Sequence, residues 1–279
     1  MSDPSAYVRE RSASGRRDLT YPPLPEPVAV PVYDNHCHLE IVDGDDPLGL
    51  SEQLARAASA GIAGVVQASG DVESSRWAVW AAKHHPQVLA AVAIHPNEAP
   101  TYEAAGVLDE AIAVIDELAA HPRVRAIGET GLDFFRTDDE GQPAQYRSFE
   151  AHIALAKKHG IAMQIHDRDA HDEVLRLLES VGAPEKTVFH CFSGDAEMAR
   201  IAADRGYYLS FAGNITFKNA QNLRDALAVT PTERILVETD APFLTPVPHR
   251  GRPNAPYLVP ITLRFMAAEL GVSVDELAA

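Results

Sequence analysis

Short apolar runs alternate with amphipathic segments from about residue 30 to the end of the chain. A short apolar run is typical of a buried strand, and an apolar stripe at every third or fourth residue is typical of a helix packed against a sheet. The pattern predicts eight strands, at residues 30–34, 64–68, 89–94, 124–129, 162–166, 187–190, 208–211 and 235–238. It also predicts helices between them, at residues 51–60, 73–84, 103–120, 143–159, 170–181, 196–204 and 219–229.

This alternation predicts a parallel sheet with helices on the outside and excludes the all-β sandwiches. Two architectures fit, a closed (β/α)8 barrel and an open doubly wound sheet. Eight strands are the full complement of a barrel, and a chain of 279 residues suits it. We therefore predict a single-domain α/β fold, a (β/α)8 TIM barrel, over residues 29–279. Residues 1–28 hold five prolines and four arginines without an apolar period, and they are predicted to form a flexible or surface-lying extension.

The chain carries 24 basic and 40 acidic residues, a formal net charge of −16. This balance opposes long-range attraction of a polyanion and counts against a duplex DNA-binding protein. Bound dications would reverse the potential locally, so the net charge does not decide the substrate. Because the sequence has neither a long apolar run nor a secretory signal, we expect a cytoplasmic protein that does not enter membranes. No feature indicates an obligate protein partner.

Side chains of metal-ligand type stand at the ends of five predicted strands. The C-terminal ends of barrel strands converge on one pocket, and alternate residues of a strand point to the same face. These side chains are therefore expected to meet at one mouth of the barrel. The predicted metal ligands are His36, His38, Glu129, His166, His190 and Asp240.

Nitrogen and carboxylate ligands suit Zn²⁺ or Mn²⁺, and positions left for water leave room for Mg²⁺. Two ions need a bridging anion, and Glu129 takes that role because no lysine stands at a strand end. We predict a pair of ions, one held by His36, His38, Asp240 and one Glu129 oxygen, the other by His166, His190 and the second Glu129 oxygen. A water between the ions is the predicted nucleophile, and Asp240 its proton acceptor.

Each of these residues taken alone has a structural interpretation, such as a hydrogen-bonded histidine in the core. The metal interpretation is favoured because it explains all the strand ends together. His95, after the third strand, is predicted to hold substrate phosphate or an additional ion, with a structural role as the alternative. Asp133 and Asp167 follow ligands closely and are predicted to orient them. Helical histidines, His152 among them, are predicted to be solvated or to cap helices.

Basic residues follow several strand ends and are predicted to contact a substrate phosphate, although a basic loop is more often merely solvated. These residues are Arg168, Lys218, Arg250 and Arg252.

Several motifs occur in combination. They are DNHCHL from Asp34, AIHP from Ala93, AIGETGLDFF from Ala126, QIHDRDA from Gln164, VFHCFSG from Val188, LSFAGNITFK from Leu209, and ETDAPFL from Glu238 followed by RGRPNAP. Together they resemble the TatD-type metal-dependent deoxyribonucleases, a branch of the amidohydrolase-like barrels. The resemblance implies hydrolysis of ester bonds, at 3′ ends of single-stranded DNA or RNA, with Mg²⁺ or another divalent ion. It places the family's ligands on the same six residues and implicates His95 in catalysis.

The sequence departs from the family pattern at a few places. Asn35 replaces a usual threonine and Asn97 a frequent histidine, and neither change removes a proposed ligand. The chain ends at Ala279, before the segment that usually completes the last helix, and residues 1–28 lie outside the resemblance.

The predicted function is that of a metal-dependent 3′–5′ exonuclease on single-stranded DNA or RNA, with Asp240, Glu129 and His95 as catalytic residues. Two other functions remain open. The same scaffold supports hydrolysis of a small-molecule ester, amide or phosphate, since fold and metal centre do not fix the substrate. A non-catalytic binding protein that retains its ions structurally is the second alternative.

Overall fold

A computed structural model describes residues 4–11 and 17–279 of the chain. Eight parallel strands form one sheet in chain order. They are β1 (Val32–Cys37), β2 (Ile62–Gln67), β3 (Val88–Val92), β4 (Val124–Asp133), β5 (Ala162–Arg168), β6 (Thr187–Phe189), β7 (Tyr208–Phe211) and β8 (Ile235–Val237).

The sheet closes on itself between its first and last strands. A parallel bridge joins Cys37 to Ala241. The His38 amide donates to the Ala241 carbonyl at 2.7 Å, and the Asp240 amide donates to the His36 carbonyl at 2.9 Å. The prediction of a closed TIM barrel, rather than an open sheet, is confirmed. Closure matters for the site, since it brings the end of β8 beside the end of β1.

Helices cover the outside of the barrel. They are α1 (Leu50–Ser59), α2 (Val72–His84), α3 (Ala99–Ala104), α4 (Leu108–Ala119), α5 (Gln142–His159), α6 (His171–Val181), α7 (Ala196–Asp204), α8 (Gln221–Val229), α9 (Val259–Leu270) and α10 (Val274–Ala278). The single helix predicted at residues 103–120 is wrong. Gly106 has a φ of +70°, which a right-handed helix does not allow, and it separates α3 from α4. In the described part of the chain, no helix is long and apolar enough to span a membrane.

The strands are buried on both faces, as expected of a barrel covered by helices. Residues 90–94 are all fully buried. At β4 the backbone approaches β5 so closely that a side chain at Gly131 would collide with the His166 carbonyl. Gly131 has a φ of +145°, a conformation that disfavours other residues. This close approach sets the spacing between two strands that carry predicted ligands.

His152, on α5, is fully buried, so the prediction of a solvated or capping side chain is wrong for it. Its Nε2 accepts a hydrogen bond from the Ile94 amide at 3.0 Å, and its Nδ1 bonds the Ser148 carbonyl at 2.6 Å. Ile94 lies just beyond the end of β3, where the sheet ladder no longer supplies an acceptor. The imidazole satisfies that amide, because a buried amide without a partner is costly.

Burial lowers the pKa of His152 from 6.5 to about 4. Between pH 6.5 and 4, His152 is therefore protonated in the unfolded chain but neutral in the folded chain. The free energy of unfolding consequently falls as the pH drops from 6.5 toward 4. His152 accounts for about 3 kcal/mol of that loss. We expect His152→Gln to remove this contribution, giving a shallower pH dependence of the free energy of unfolding in urea titrations with chelator present. Equal slopes for both proteins would contradict this role.

The described part of the predicted extension, here called the N-terminal segment, consists of residues 4–11 and 17–28 and packs against the barrel. Residues 1–3 and 12–16 lie outside the described residues. A short strand, Arg9–Glu10, pairs with Ile41–Val42 in the loop after β1. Arg11 and Arg17 both bind the buried Asp43 carboxylate, at 2.9 and 2.7 Å.

The same segment also reaches the loop after β8. Arg11 donates to the Pro242 carbonyl at 2.7 Å, and Arg17 donates to the Gly251 carbonyl at 2.8 Å. The Arg11 guanidinium lies 5.0 Å from the centre of the Phe243 ring. The segment therefore joins the two loops on either side of the barrel seam, at the end where the predicted ligands lie.

Candidate metal centre

The first group of donors lies where β1 and β8 meet. His36 and His38 are alternate residues at the end of β1, and their Nε2 atoms are 3.3 Å apart. The Glu129 Oε2 atom lies 3.5 Å from the first and 3.6 Å from the second. Asp240 Oδ1 lies 3.5 Å from His38 Nε2. The four residues predicted to hold the first ion are thus brought together.

The second group surrounds the other oxygen of the same carboxylate. Glu129 Oε1 lies 2.6 Å from His166 Nδ1 and 2.8 Å from His190 Nε2. His95 Nε2 lies 3.3 Å from the same oxygen, and its side chain is 19% exposed at the mouth. His95 therefore joins the donors predicted for the second ion, which agrees with a role beside an ion or a phosphate.

The donor spacing of the first group fits a cation, whereas the second group is drawn together by hydrogen bonds to Glu129. Separations of 3.5 and 3.6 Å between Glu129 Oε2 and the two imidazoles of the first group exceed ordinary hydrogen-bond lengths. Ligands bonded at about 2.1 Å to one tetrahedral ion stand about 3.4 Å apart, close to the distances among the donors of the first group. Donor atoms of His36, His38 and Glu129 all lie within 4.8 Å of one another, as do those of His95, Glu129 and His166. These residues would hold divalent cations through nitrogen and carboxylate oxygen.

Electrostatics keep the central carboxylate ionised. Burial alone would raise the pKa of Glu129, but the charges of His190 and His95 and the bond from His166 outweigh it and hold that pKa well below its usual value. Burial would lower the pKa of His38, yet the contact with Asp240 raises it to about 9. In this arrangement protonated imidazoles balance the charge of the carboxylate. A bound cation would displace those protons and balance the carboxylate instead.

Neighbouring polar side chains fix the orientation of two ligands. Gln164 Oε1 bonds His36 Nδ1 at 3.0 Å, which leaves Nε2 facing the first group. Asp133 Oδ2 bonds His166 Nε2 at 3.2 Å, which leaves Nδ1 facing Glu129. Asp133 therefore contacts a ligand as predicted. Such contacts set the ring orientation and the basicity of a metal-binding histidine.

Glu238 is a site residue that the sequence analysis missed. Its Oε1 lies 3.2 Å from His190 Nδ1 and accepts the Cys191 amide at 2.9 Å. The carboxylate is fully buried, and its Oε2 has no hydrogen-bond partner among the described residues. Glu238 precedes the predicted ligand Asp240 by two residues. Both residues lie beyond the end of β8, and Asp240 has a φ of +53°, so strand alternation gave no signal for Glu238.

Asp167 does not orient a ligand, contrary to the prediction. Its carboxylate bonds His171 Nδ1 at 2.8 Å at the start of α6. Asp167 follows His166 directly, so along the strand its side chain points to the opposite face. It therefore fixes the junction of β5 with α6.

The side chains of three basic residues predicted to contact phosphate form no hydrogen bond or ion pair within residues 4–11 and 17–279. The Arg168 guanidinium lies 4.0 Å from the centre of the Phe135 ring, and the Arg250 guanidinium lies 4.2 Å from that of Phe217. Lys218 is exposed. Arg168 is the last residue of β5, and Lys218 and Arg250 lie in the segments after β7 and β8.

Arg252 is placed differently from the other basic residues. Its guanidinium donates to the Thr20 carbonyl at 2.9 Å and to the Tyr21 carbonyl at 2.9 Å, and lies 3.4 Å from the Asp18 carboxylate. The N-terminal segment therefore occupies its donors, and the structure does not bring Arg252 into the ligand cluster.

Comparisons with known proteins identify the family of the chain. A family profile described as TatD related DNase matches residues 33–279. The chain belongs to the TatD family. An uncharacterised metal-dependent hydrolase, TatD of Mycobacterium tuberculosis, is 43% identical over 249 residues, covering 88% of this chain and 92% of that protein. YabD of Bacillus subtilis, also an uncharacterised metal-dependent hydrolase, is 35% identical and covers 88% and 94%.

Solved structures lead to the same family. The crystal structure of YjjV, a TatD homologue from Escherichia coli, matches with a TM-score of 0.77 at 27% identity, over 88% of this chain and 93% of that one. A TatD family hydrolase from Entamoeba histolytica matches with a TM-score of 0.76, over 90% and 95%, but at 20% identity it shows the fold alone. This TatD-family chain is a metal-dependent hydrolase, and its N-terminal segment lies outside the family match.

Glu129 is the shared anion of both donor groups, so its charge should control cation binding by this TatD-family chain. We expect Glu129→Gln, which keeps the shape and removes the charge, to weaken binding of Mn²⁺ or Zn²⁺ by more than about 100-fold, since even the loss of an outer contact costs 10–100-fold. Isothermal titration of the chelator-treated protein measures this. The matched control is Asp167→Asn, which should bind as the parent does. Unchanged affinity in Glu129→Gln would rule out the shared-anion role.

Glu238→Gln tests the contact that orients His190. The substitution removes the charge but keeps an oxygen for the Cys191 amide, so the fold should survive. We expect cation affinity to fall roughly 10–100-fold, as found for such outer contacts. Circular dichroism spectra matching the parent would confirm folding, and an affinity within about twofold of the parent would show that His190 needs no carboxylate partner.

Proposed function

We propose that the chain is a 3′–5′ exonuclease that hydrolyses phosphodiester bonds of single-stranded DNA or RNA with two divalent cations, Mg²⁺ being the expected ion and Mn²⁺ or Zn²⁺ alternatives. One observation carries the proposal. The two oxygens of Glu129 face two separate groups of imidazoles, an arrangement suited to a pair of cations. The family profile, described as TatD related DNase, supports nucleic acid as the substrate.

The chain's own residues have distinct roles in this proposal. Two cations held by these ligands would lower the pKa of a bound water and offset the charge of a phosphodiester. Asp240, whose carboxylate is 14% exposed beside His38, accepts the proton of the attacking water. His95, partly exposed beside Glu129, holds the phosphate on the other side.

Free guanidinium and ammonium groups at the mouth support a polyanionic substrate. Arg168, Arg250 and Lys218 have no carboxylate partner in the described part of a chain that carries 40 acidic residues. In so acidic a protein, unpaired basic side chains beside the site provide the local attraction that the net charge lacks. A small neutral ester would not need them.

Oligonucleotides with free and blocked 3′ ends test the proposal. We expect 5′-labelled single-stranded DNA with a free 3′ end to shorten one nucleotide at a time with Mg²⁺ or Mn²⁺. A blocked 3′ end or a chelator should stop the reaction. Asp240→Asn should lower kcat by roughly 10²–10⁴-fold, the usual contribution of a general base. Asp116→Asn, which removes a carboxylate on the outer helix α4 where Asp116 pairs with Lys158 and His159, is the control.

The alternatives give different results. Hydrolysis of nitrophenyl esters or phosphate monoesters, with intact oligonucleotides, would identify a small-molecule hydrolase. Full cation binding without turnover of either substrate class would identify a non-catalytic metal-binding protein. Internal cuts in a substrate with a blocked 3′ end would exclude the exonuclease mode.

A further inference from the structure

Phe135 is an unusual surface residue. It is 63% exposed, more than any other large apolar side chain in the described part of the chain. It lies in the turn directly after β4, two residues beyond Asp133, which contacts the ligand His166. The preceding residue, Phe134, packs at 6.2 Å from the Tyr146 ring and is half-buried. The turn is thus anchored by one aromatic ring and presents the other to solvent.

Arg168 holds this ring from the neighbouring strand. Its guanidinium lies 4.0 Å from the ring centre of Phe135. The backbone fixes the pair, because Arg168 pairs in register with Asp133 and its carbonyl accepts the Phe134 amide at 2.9 Å. Arg168 is two residues beyond His166 on β5, so it shares that ligand's face about 7 Å closer to solvent.

The Arg168 guanidinium has unused hydrogen-bond donors. Within residues 4–11 and 17–279 it forms no hydrogen bond or ion pair, whereas Arg147 and Arg205 bind nearby carboxylates. A guanidinium flat on a ring keeps its in-plane N–H groups free. Those donors suit a phosphate, which accepts two of them at once.

We propose that Phe135 and Arg168 form a nucleotide subsite, in which a base of the substrate strand stacks on Phe135 and its phosphate binds Arg168. The proposal rests on the exonuclease function and specifies where the strand next to the scissile bond is held. Aromatic rings accept any base by stacking, so the subsite would bind without sequence preference. The Phe217–Arg250 pair is a weaker candidate, because Phe217 packs partly against the core and offers less ring surface.

The test combines a ring variant with an abasic substrate. Single-stranded oligonucleotides carry one abasic nucleotide at successive positions from the 3′ end, and kcat and KM are measured with Mg²⁺. We expect one position at which the missing base raises KM about tenfold for the parent protein, the size of one base–ring stack. Phe135→Ala should raise KM by the same factor on the intact strand, show no further penalty at that position, and change kcat less than about twofold.

Further variants separate stacking from folding and from charge. Phe135→Trp should keep the low KM and the abasic penalty of the parent protein, and Phe135→Leu should not, although both substituted side chains are large and apolar. Arg168→Gln should raise KM for every substrate. It should also reduce the slope of log KM against the logarithm of the salt concentration by about one, the value for one lost phosphate contact. Tyr208→Ala is the matched control, since Arg234 lies 4.8 Å from that ring at the opposite end of the barrel.

The possible outcomes distinguish the nucleotide subsite from the exonuclease function on which it rests. A metal-dependent exonuclease whose KM is the same in Phe135→Ala, with an unchanged abasic penalty, would overturn the subsite and leave the function standing. A parent protein that neither binds nor cleaves any single strand would overturn both. Loss of the abasic penalty in Phe135→Ala, with its return in Phe135→Trp, would establish the stacking contact.

Discussion

The structure depends on one buried carboxylate, that of Glu129, placed among the imidazoles of five histidines. A carboxylate so deeply buried would ordinarily take up a proton, because desolvation disfavours its charge. Here the surrounding imidazoles hold the pKa of Glu129 low, and the anion in turn raises the pKa of His190 against the effect of burial. Neither the carboxylate nor the imidazoles are stable in this arrangement alone. The mutual compensation is what allows a dense polar cluster in the centre of an apolar barrel.

Closure of the barrel brings the ligands of the first donor group together around Glu129. Glu129 comes from β4, whereas His38 and Asp240 come from the two strands that meet at the seam. The buried Asp34 carboxylate joins that seam, since it accepts both the amide and the hydroxyl of Thr239, at 2.9 and 2.5 Å. An open sheet would leave β1 and β8 far apart and would divide the first donor group. The first donor group therefore depends on closure of the barrel.

Much of this arrangement was predictable from the sequence. The sequence pattern assigned His36, Glu129 and Asp240 to the ends of predicted strands. Those ends converge at one mouth of a parallel barrel, so the cluster could be predicted. The supporting residues were harder to recognise, since Gln164 and Glu238 resemble ordinary strand positions until their distances to particular imidazole nitrogens are known. His152 was misjudged for a similar reason. Its partner, the Ile94 amide, lies 58 residues away in sequence, and no periodicity in α5 reveals it.

The N-terminal segment makes the two sides of the barrel mouth different. Arg11 and Arg17 fasten it across the loops that follow β1 and β8, and in an eight-stranded ring those strands stand opposite β4 and β5. The N-terminal segment therefore contacts the rim beside β1 and β8, and the turn that bears Phe135 lies on the opposite side of the mouth. The two sides of the entrance therefore differ in chemistry, with arginine-fastened backbone on one side and an exposed aromatic ring on the other, and this makes the basin asymmetric to any molecule that enters it.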